Sequence, residues 1–215
     1  MPAYPAVLFD LGEVLVHLRF SRGMAQLLRL AGGDETRALD LAAIFMEPFV
    51  LDWNAGHQAP AAFLGELCRR LGPRPVPTWQ AAGAWCDVFD PYPEMEELAA
   101  EVVRSGHPTW LLSNTDPLHF SKLAAAIPVL QQFSGLHLSY EVGAAKPDPR
   151  FFEVFLQRSG LAAQDCVFMD DRPEFVAAAQ ALGIRALVHR GDVGEVRLWL
   201  RAQGVPVAAP RPASR

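Results

Sequence analysis

The sequence predicts an α/β fold in which a parallel β-sheet carries helices on both faces, with four helices inserted after the first strand. Two observations predict the sheet: short apolar runs recur along the chain, and helical patterns lie between the later runs. One observation predicts the insertion, since residues 20–90 show helical spacing and no convincing strand. With 51% hydrophobic and 20% charged residues in 215, the composition is that of a globular protein with a full core.

The predicted strands comprise residues 6–9, 109–112, 136–140, 166–169 and 186–188. Most are continuous apolar runs, which is typical of a sheet that is covered on both faces, whereas residues 136–140 alternate weakly. Helices are predicted at 94–105, 119–126, 150–159 and 173–182, so that right-handed crossovers connect parallel strands.

Four further helices are predicted in the insertion, at residues 21–30, 35–53, 60–71 and 78–89. We therefore expect a core domain made of residues 1–18 and 91–203 and a helical cap domain made of residues 19–90. Trp79 and Trp85 are expected in the core of this cap. Residues 204–215, rich in Pro and Ala, are expected to form a loose C-terminal tail.

Charge and composition exclude several classes of partner. The formal net charge is −5 and there is no basic tract, which argues against nucleic acid as a partner. No apolar run reaches the roughly 20 residues of a membrane helix, and the N-terminus does not read as a signal peptide. Three cysteines without a C-x-x-C pair read as reduced thiols, so a cytoplasmic location is expected.

Polar residues follow three of the predicted strands. They are Asp10, the pair Ser113 and Asn114, and the pair Asp170 and Asp171. Because ligands of open parallel sheets bind at the carboxyl ends of the strands, we expect these residues to meet in one site. Gathered carboxylates need a cation between them, and hard oxygen ligands suit Mg²⁺. A carboxylate can also attack phosphorus as a nucleophile.

Lysine usage directs attention to one further residue. Of the 19 cationic side chains, 17 are arginine, and the two lysines are Lys122 and Lys146. Where arginine is the usual cation, a lysine can be present for its compact point charge. Lys146 would supply the positive charge that a transferring phosphoryl group needs, while Ser113 and Asn114 would supply hydroxyl and amide donors.

Four short segments resemble the motifs of the haloacid dehalogenase superfamily in order and spacing: FDLGEVL at 9–15, LSNT at 112–115, GAAKPD at 143–148 and FMDD at 168–171. The resemblance is to the phosphatase-like branch with an inserted helical cap, and within it to bacterial enzymes that act on sugar phosphates such as α-glucose 1-phosphate. It implies a Rossmann-like core and a Mg²⁺-dependent phosphatase that forms an aspartyl-phosphate.

The resemblance also implies a role for each site residue. Asp10 would be the nucleophile and a metal ligand, and the backbone carbonyl of Gly12 would be a second ligand. Asp170 and Asp171 would complete the metal site. Ser113 and Asn114 would bind the phosphoryl oxygens, and Lys146 would bind phosphate and neutralise the nucleophile.

One position departs from the family pattern. Most phosphatases of the family carry an acidic residue two positions after the nucleophile, where this chain has Gly12. General acid–base catalysis is typically worth about 10²–10⁴ in rate. Three alternatives follow: a substrate with a good leaving group such as an anomeric phosphate, replacement of the acid by Glu13 or His17, or little or no turnover.

Three functions are consistent with the sequence. The first is a Mg²⁺-dependent phosphatase for a small phosphorylated metabolite, with sugar phosphates favoured. The second is a metal-independent 2-haloacid dehalogenase, and the third is a non-catalytic metabolite-binding relative. In the cap, Trp53 and His57 are candidates for contact with the substrate, because they border a helix break that relatives place over the active site.

Overall fold

The computed structural model describes residues 4–34 and 47–210. The strands in chain order are β1 Ala6–Phe9, β2 Val16–Leu18, β3 Phe89–Pro91, β4 Thr109–Ser113, β5 Gly135–Leu138, β6 Cys166–Asp170 and β7 Arg185–Val188. Within the described ranges, five of them form a parallel sheet in the order β5-β4-β1-β6-β7. The predicted α/β fold class and the five predicted strands are confirmed, with shifts of one or two residues at the ends.

Helices cover the sheet and build the insertion. They are α1 Phe20–Ala31, α2 Pro48–Asn54, α3 Pro60–Leu71, α4 Thr78–Cys86, α5 Pro93–Arg104, α6 Pro117–Ala126, α7 Ser139–Val142, α8 Pro149–Ser159, α9 Pro173–Ala181 and α10 Val193–Ala202. Aspartates cap three of them: the side chains of Asp116, Asp148 and Asp192 accept backbone N–H groups at the starts of α6, α8 and α10. In the described part of the chain, no helix has both the length and the apolar character needed to cross a membrane.

The hydrophobic core lies on both faces of the sheet, which explains why the strands are apolar throughout. Successive side chains of a strand point to opposite faces. Accordingly, Val7 and Phe9 of β1 pack in one buried cluster with α5, α6 and α10, whereas Ala6 and Leu8 pack in another with α8 and α9. All four residues have no exposed surface.

The insertion between β2 and β3 forms a hydrophobic cluster of its own. Its largest buried members are Met24, Leu27, Trp53, Phe63 and Trp85. α3 spans the predicted residues, α1 extends one residue further at each end, and α4 ends at Cys86, three residues earlier than predicted. Of the predicted helix 35–53, residues 35–46 lie outside the described ranges. The division into a core and a cap at residues 18/19 and 90/91 stays a prediction.

Some parts of the sequence-based interpretation are wrong. The expectation that residues 20–90 hold no strand misses Phe89 and Asp90 of β3, which pairs antiparallel with β2, His17 opposite Asp90. Arg22 stabilises this two-stranded sheet, because its guanidinium donates to Asp90 Oδ1 at 2.7 Å and to the carbonyl of Phe89 at 2.9 Å. The two chain segments that join the insertion to the sheet are therefore bound to each other.

The C-terminal segment is not loose over its described part. Val205 and Val207 are 1% and 2% exposed and belong to the core cluster beside α10. The backbone N–H of Val207 donates to the carbonyl of Val205 at 2.9 Å, and the backbone N–H of Ala208 donates to Glu101, so hydrogen bonds hold the segment in place. Residues 211–215 of the predicted tail lie outside the described ranges.

Candidate active site

The site lies at the carboxyl ends of three adjacent strands. Asp10 directly follows β1, Ser113 ends β4 and Asp170 ends β6, and β1 lies between the other two. The three side chains are buried, with Asp10 at 7% exposure and the others at 1% or less. The structure thus brings together residues that are far apart in sequence, at the edge where an open parallel sheet binds its ligands.

Lys146 lies at the centre of this group and is 3% exposed. Its ammonium donates to Asp10 Oδ1 at 2.7 Å, to Asp170 Oδ2 at 2.6 Å and to the carbonyl of Leu112 at 3.0 Å. Burial acts to lower the pKa of Lys146, but the two carboxylates prevail and raise it. The ammonium therefore keeps its charge at neutral pH, and its three N–H donors are all engaged.

Asn114 positions Lys146. Its side-chain Nδ2 donates to the carbonyl of Lys146 at 2.8 Å, and its Oδ1 accepts the Lys146 backbone N–H at 2.8 Å. This pair of hydrogen bonds fixes the backbone that carries the ammonium. The phosphate-binding role of Asn114 and of the buried Ser113 stays a prediction.

Three carboxylates could hold a metal ion. One oxygen from each of Asp10, Asp170 and Asp171 lies within 4.8 Å of the others. Burial, followed by the neighbouring Asp170, raises the pKa of Asp171 to about 6. Burial raises the pKa of Asp10 to about 7. The neighbouring Asp170 adds to this rise, and Lys146 acts in the opposite direction.

The site holds more carboxylates than cations. Three carboxylates and one ammonium leave two negative charges in excess, which a divalent cation balances. The oxygen donors suit the hard cation Mg²⁺. The residues present therefore fit the predicted metal. The carbonyl of Gly12 as a further ligand stays a prediction.

The loop after Asp10 packs against the side chain of Leu18 and is held by Glu13. A Cβ on Gly12 would lie 2.8 Å from Cδ1 of Leu18, so the Leu18 side chain fills that space. Glu13 has a positive φ of 53°, an uncommon conformation for a residue with a side chain. Its Oε1 accepts the backbone N–H of Leu18 at 2.7 Å, and its Oε2 lies 3.3 Å from Nδ1 of His17. The carboxylate of Glu13 thus holds β2, one strand of the two-stranded sheet formed with β3.

The candidate cap residues differ in their surroundings. Trp53 is fully buried and stacks on Phe63 with ring centroids 4.6 Å apart, and its Nε1 has no hydrogen-bond partner in the described part of the chain. His57 is exposed and lies 3.2 Å from Asp52. Contact of either residue with a substrate stays a prediction.

Two polar groups between the insertion and the sheet were not foreseen from the sequence. Asp116 accepts the indole N–H of Trp85 at 3.0 Å and lies 2.8 Å from Nδ1 of His119. Ser139 is buried and contacts backbone groups of Asn54 and Thr115. Neither residue lies in one of the four motifs. The sequence shows only that Asp116 precedes a proline and that Ser139 follows a strand, and neither feature predicts these contacts.

Comparison with known proteins identifies the family. The family profile for haloacid dehalogenase-like hydrolases matches residues 4–183. The chain belongs to this family of hydrolases. The predicted superfamily is confirmed, and the finer resemblance to glucose-1-phosphate phosphatases stays a prediction.

Among curated relatives, a phosphoserine phosphatase of Thermus thermophilus is 40% identical over 103 residues, which covers 46% of this chain and 41% of that protein. A phosphatase of Mycobacterium tuberculosis is 30% identical over 96 residues, covering 44% of each chain. The match spans less than half the length of these two relatives. A D-ribitol-5-phosphate phosphatase of Bacteroides thetaiotaomicron is 24% identical over 82% of this chain and 87% of its own.

Solved structures confirm the fold. A HAD family enzyme of Bacteroides thetaiotaomicron superposes with a TM-score of 0.80 at 24% identity, over 91% of this chain and 98% of that chain. The wild-type form of that enzyme in complex with magnesium and inorganic phosphate gives a TM-score of 0.78 at 24% identity, over 90% and 99% of the two chains. An L-2-haloacid dehalogenase of Xanthobacter autotrophicus gives 0.60 at 19% identity, over 85% and 76%.

Proposed function

We propose that the protein is a Mg²⁺-dependent phosphatase that hydrolyses a small phosphorylated metabolite, with sugar phosphates favoured, through an aspartyl-phosphate. The observation that carries the proposal is the Lys146 ammonium held between the carboxylates of Asp10 and Asp170, with Asp171 completing a set of oxygen ligands. The similarity to curated phosphatases supports the same reaction class.

In the proposed reaction, Asp10 attacks the phosphorus of the substrate. A bond forms between a carboxylate oxygen of Asp10 and phosphorus, and the bond from phosphorus to the ester oxygen breaks. Water then attacks the phosphorus of the aspartyl-phosphate, which releases inorganic phosphate and restores Asp10. The leaving oxygen takes up one proton and the attacking water gives one up, so the proton count balances.

Lys146 contributes positive charge throughout. Before reaction its ammonium neutralises Asp10, and as the phosphoryl group transfers it offsets the charge of the equatorial oxygens. Asp10, Asp170, Asp171 and the carbonyl of Gly12 would hold Mg²⁺, which would supply further positive charge beside the phosphoryl group. Ser113 and Asn114 would donate to the phosphoryl oxygens.

The proposal also specifies the leaving group. Gly12 provides no acid, and the carboxylate of Glu13 is engaged by Leu18 and His17. A phosphate ester whose leaving oxygen is weakly basic needs the least help from a general acid. We therefore favour an anomeric sugar phosphate over an ordinary alkyl phosphate.

A phosphate-release assay tests the proposal. Wild type is incubated with sugar phosphates, nucleotides and pyridoxal phosphate, with Mg²⁺ and with chelator. We expect metal-dependent release that Asp10→Asn abolishes and that the matched control Asp192→Asn retains, since Asp192 is an exposed helix cap. Metal-independent halide release from haloacids would establish the dehalogenase instead, and ligand binding without turnover would establish the non-catalytic relative.

A further inference from the structure

The loop that follows α2 lies directly on the short helix α7 of the sheet domain. We call residues 54–57 the cap loop. A Cβ on Gly56 would lie 2.2 Å from the carbonyl oxygen of Tyr140, so only glycine permits this approach, and Gly56 also has a positive φ of 78°. One hydrogen bond joins the two segments, from the hydroxyl of Ser139 to the carbonyl of Asn54 at 2.9 Å.

The same hydroxyl contacts the strand end that forms the active site. Ser139 Oγ accepts the backbone N–H of Thr115 at 3.0 Å and lies 2.9 Å from the carbonyl of Thr115. Thr115 follows Asn114, whose side chain fixes the backbone of Lys146. Ser139 therefore links the cap loop to the residues that position the ammonium.

A serine hydroxyl has a single hydrogen, whereas Ser139 faces two carbonyl acceptors at equal distance. The hydrogen can go to Asn54 or to Thr115. Since Ser139 is fully buried, a donor without an acceptor would be costly. If the carbonyl of Asn54 moves away, the carbonyl of Thr115 still accepts the hydrogen, so the hydroxyl of Ser139 keeps an acceptor.

We propose that Ser139 is a positioning residue that couples the cap loop to the phosphoryl site, its hydrogen going to Asn54 when the loop is seated on α7 and to Thr115 when the loop lifts. The inference rests on the proposed phosphatase function and adds a residue to it. In the seated state, Asn54 O depends on Ser139 for its partner. In the lifted state this carbonyl is open to water, so loss of the hydroxyl favours lifting.

The first test compares Ser139→Ala with Ser134→Ala. Ser134 is a matched control, because its hydroxyl accepts the backbone N–H of Thr109 at the other end of β4 at 3.1 Å and lies far from the cap loop. For Ser139→Ala we expect KM for the sugar phosphate to rise about tenfold with kcat reduced less than about threefold, because a contact of the bound state is lost. Ser134→Ala should change neither.

A second measurement does not depend on activity. Amide hydrogen exchange of the cap loop should become about tenfold faster in Ser139→Ala than in Ser134→Ala. Cap-loop exchange or KM within about twofold of the control would overturn the proposal. If the wild-type protein released phosphate from no substrate, the proposed function would fail, whereas the exchange rates would still decide the role of Ser139.

A second pair of variants tests the contact between Gly56 and the carbonyl of Tyr140 while Ser139 is unchanged. Gly56→Ala places a methyl group against Tyr140 O, and Gly106→Ala introduces the same backbone strain at a φ of 81° where nothing lies within 4 Å. We expect a raised KM and faster cap-loop exchange in Gly56→Ala alone. If the two alanine variants had the same KM and the same cap-loop exchange rate, the cap loop would not depend on its contact with α7.

Discussion

Replacement of Lys146 by methionine is the perturbation for which the structure gives the clearest magnitude. Methionine keeps most of the volume of the side chain but removes the ammonium, which donates at 2.6–3.0 Å to two carboxylates and one carbonyl. Breaking a buried ion pair by removing one partner typically costs about 3–5 kcal/mol, because the other charge stays buried without compensation. We expect this loss in the free energy of unfolding, measured by urea titration at about pH 8 in chelator.

The loss should depend on pH with a defined sign. Burial holds the pKa of Asp10 at about 7, above the ordinary 3.8, while Lys146 acts to lower it. Without Lys146 that pKa rises further. A folded protein that binds a proton more tightly than the unfolded chain loses stability as pH rises between the two pKa values. The destabilisation of Lys146→Met should therefore be smaller at about pH 5, where the carboxyl group takes up a proton, than at about pH 8.

Lys122→Met is the control for this experiment. Lys122 is the other lysine of the chain, and it is exposed with a single hydrogen bond to the carbonyl of Cys86. We expect this variant to stay within about 0.5 kcal/mol of wild type. A Lys146→Met protein as stable as Lys122→Met at both pH values would refute the buried ion-pair arrangement described above.

Three further predictions concern separate parts of the molecule. Asp116→Asn should lower the free energy of unfolding by about 2 kcal/mol. Burial acts to raise the pKa of Asp116, but the hydrogen bonds from His119 and Trp85 and the electrostatic attraction of His119 together lower it, so the difference should be present above about pH 4 and lost in acid titrations below it. Gly12→Asp, combined with Leu18→Ala to clear the Leu18 methyl from the added side chain, should raise kcat on alkyl phosphates by about 10² in steady-state assays, and an unchanged kcat would count against a missing acid. Val207→Ala should cost about 2 kcal/mol in urea unfolding, and no cost would mean that the C-terminal segment is not packed.

Much of the sheet could be predicted because its physical signals are local. Each buried parallel strand is a short apolar run, and the polar residue that ends it marks the ligand-binding edge. The rarity of lysine pointed to Lys146, whose contacts with Asp10 and Asp170 now give that signal a physical basis. These inferences needed only composition and strand order.

Other features could not be predicted because they depend on tertiary contacts. β2 and β3 have three residues each, too few to show a period, and their pairing depends on Arg22 from a neighbouring helix. Asn114 pairs with Lys146, which lies 32 residues away in the sequence. No sequence pattern predicts that Ser139 contacts Asn54.

The expectation that Trp79 lies in the cap core is wrong, and helix geometry explains why. Trp79 is 74% exposed, whereas Trp85 is buried at 3% as predicted. Six residues apart on one α-helix, the two side chains point about 120° away from each other. α4 has few polar residues to mark its outer face, so the sequence alone did not show which tryptophan faces the core.

The stereochemical course at phosphorus is the most direct test of the central claim that Asp10 attacks the substrate. A sugar phosphorothioate made chiral at phosphorus with two oxygen isotopes would be hydrolysed by the Mg²⁺-loaded protein in water that carries the third isotope, and the configuration of the inorganic thiophosphate released would be determined. Two successive in-line displacements, first by Asp10 and then by water, predict retention of configuration. Inversion would mean that water attacks the substrate directly, and it would contradict the nucleophilic role of Asp10.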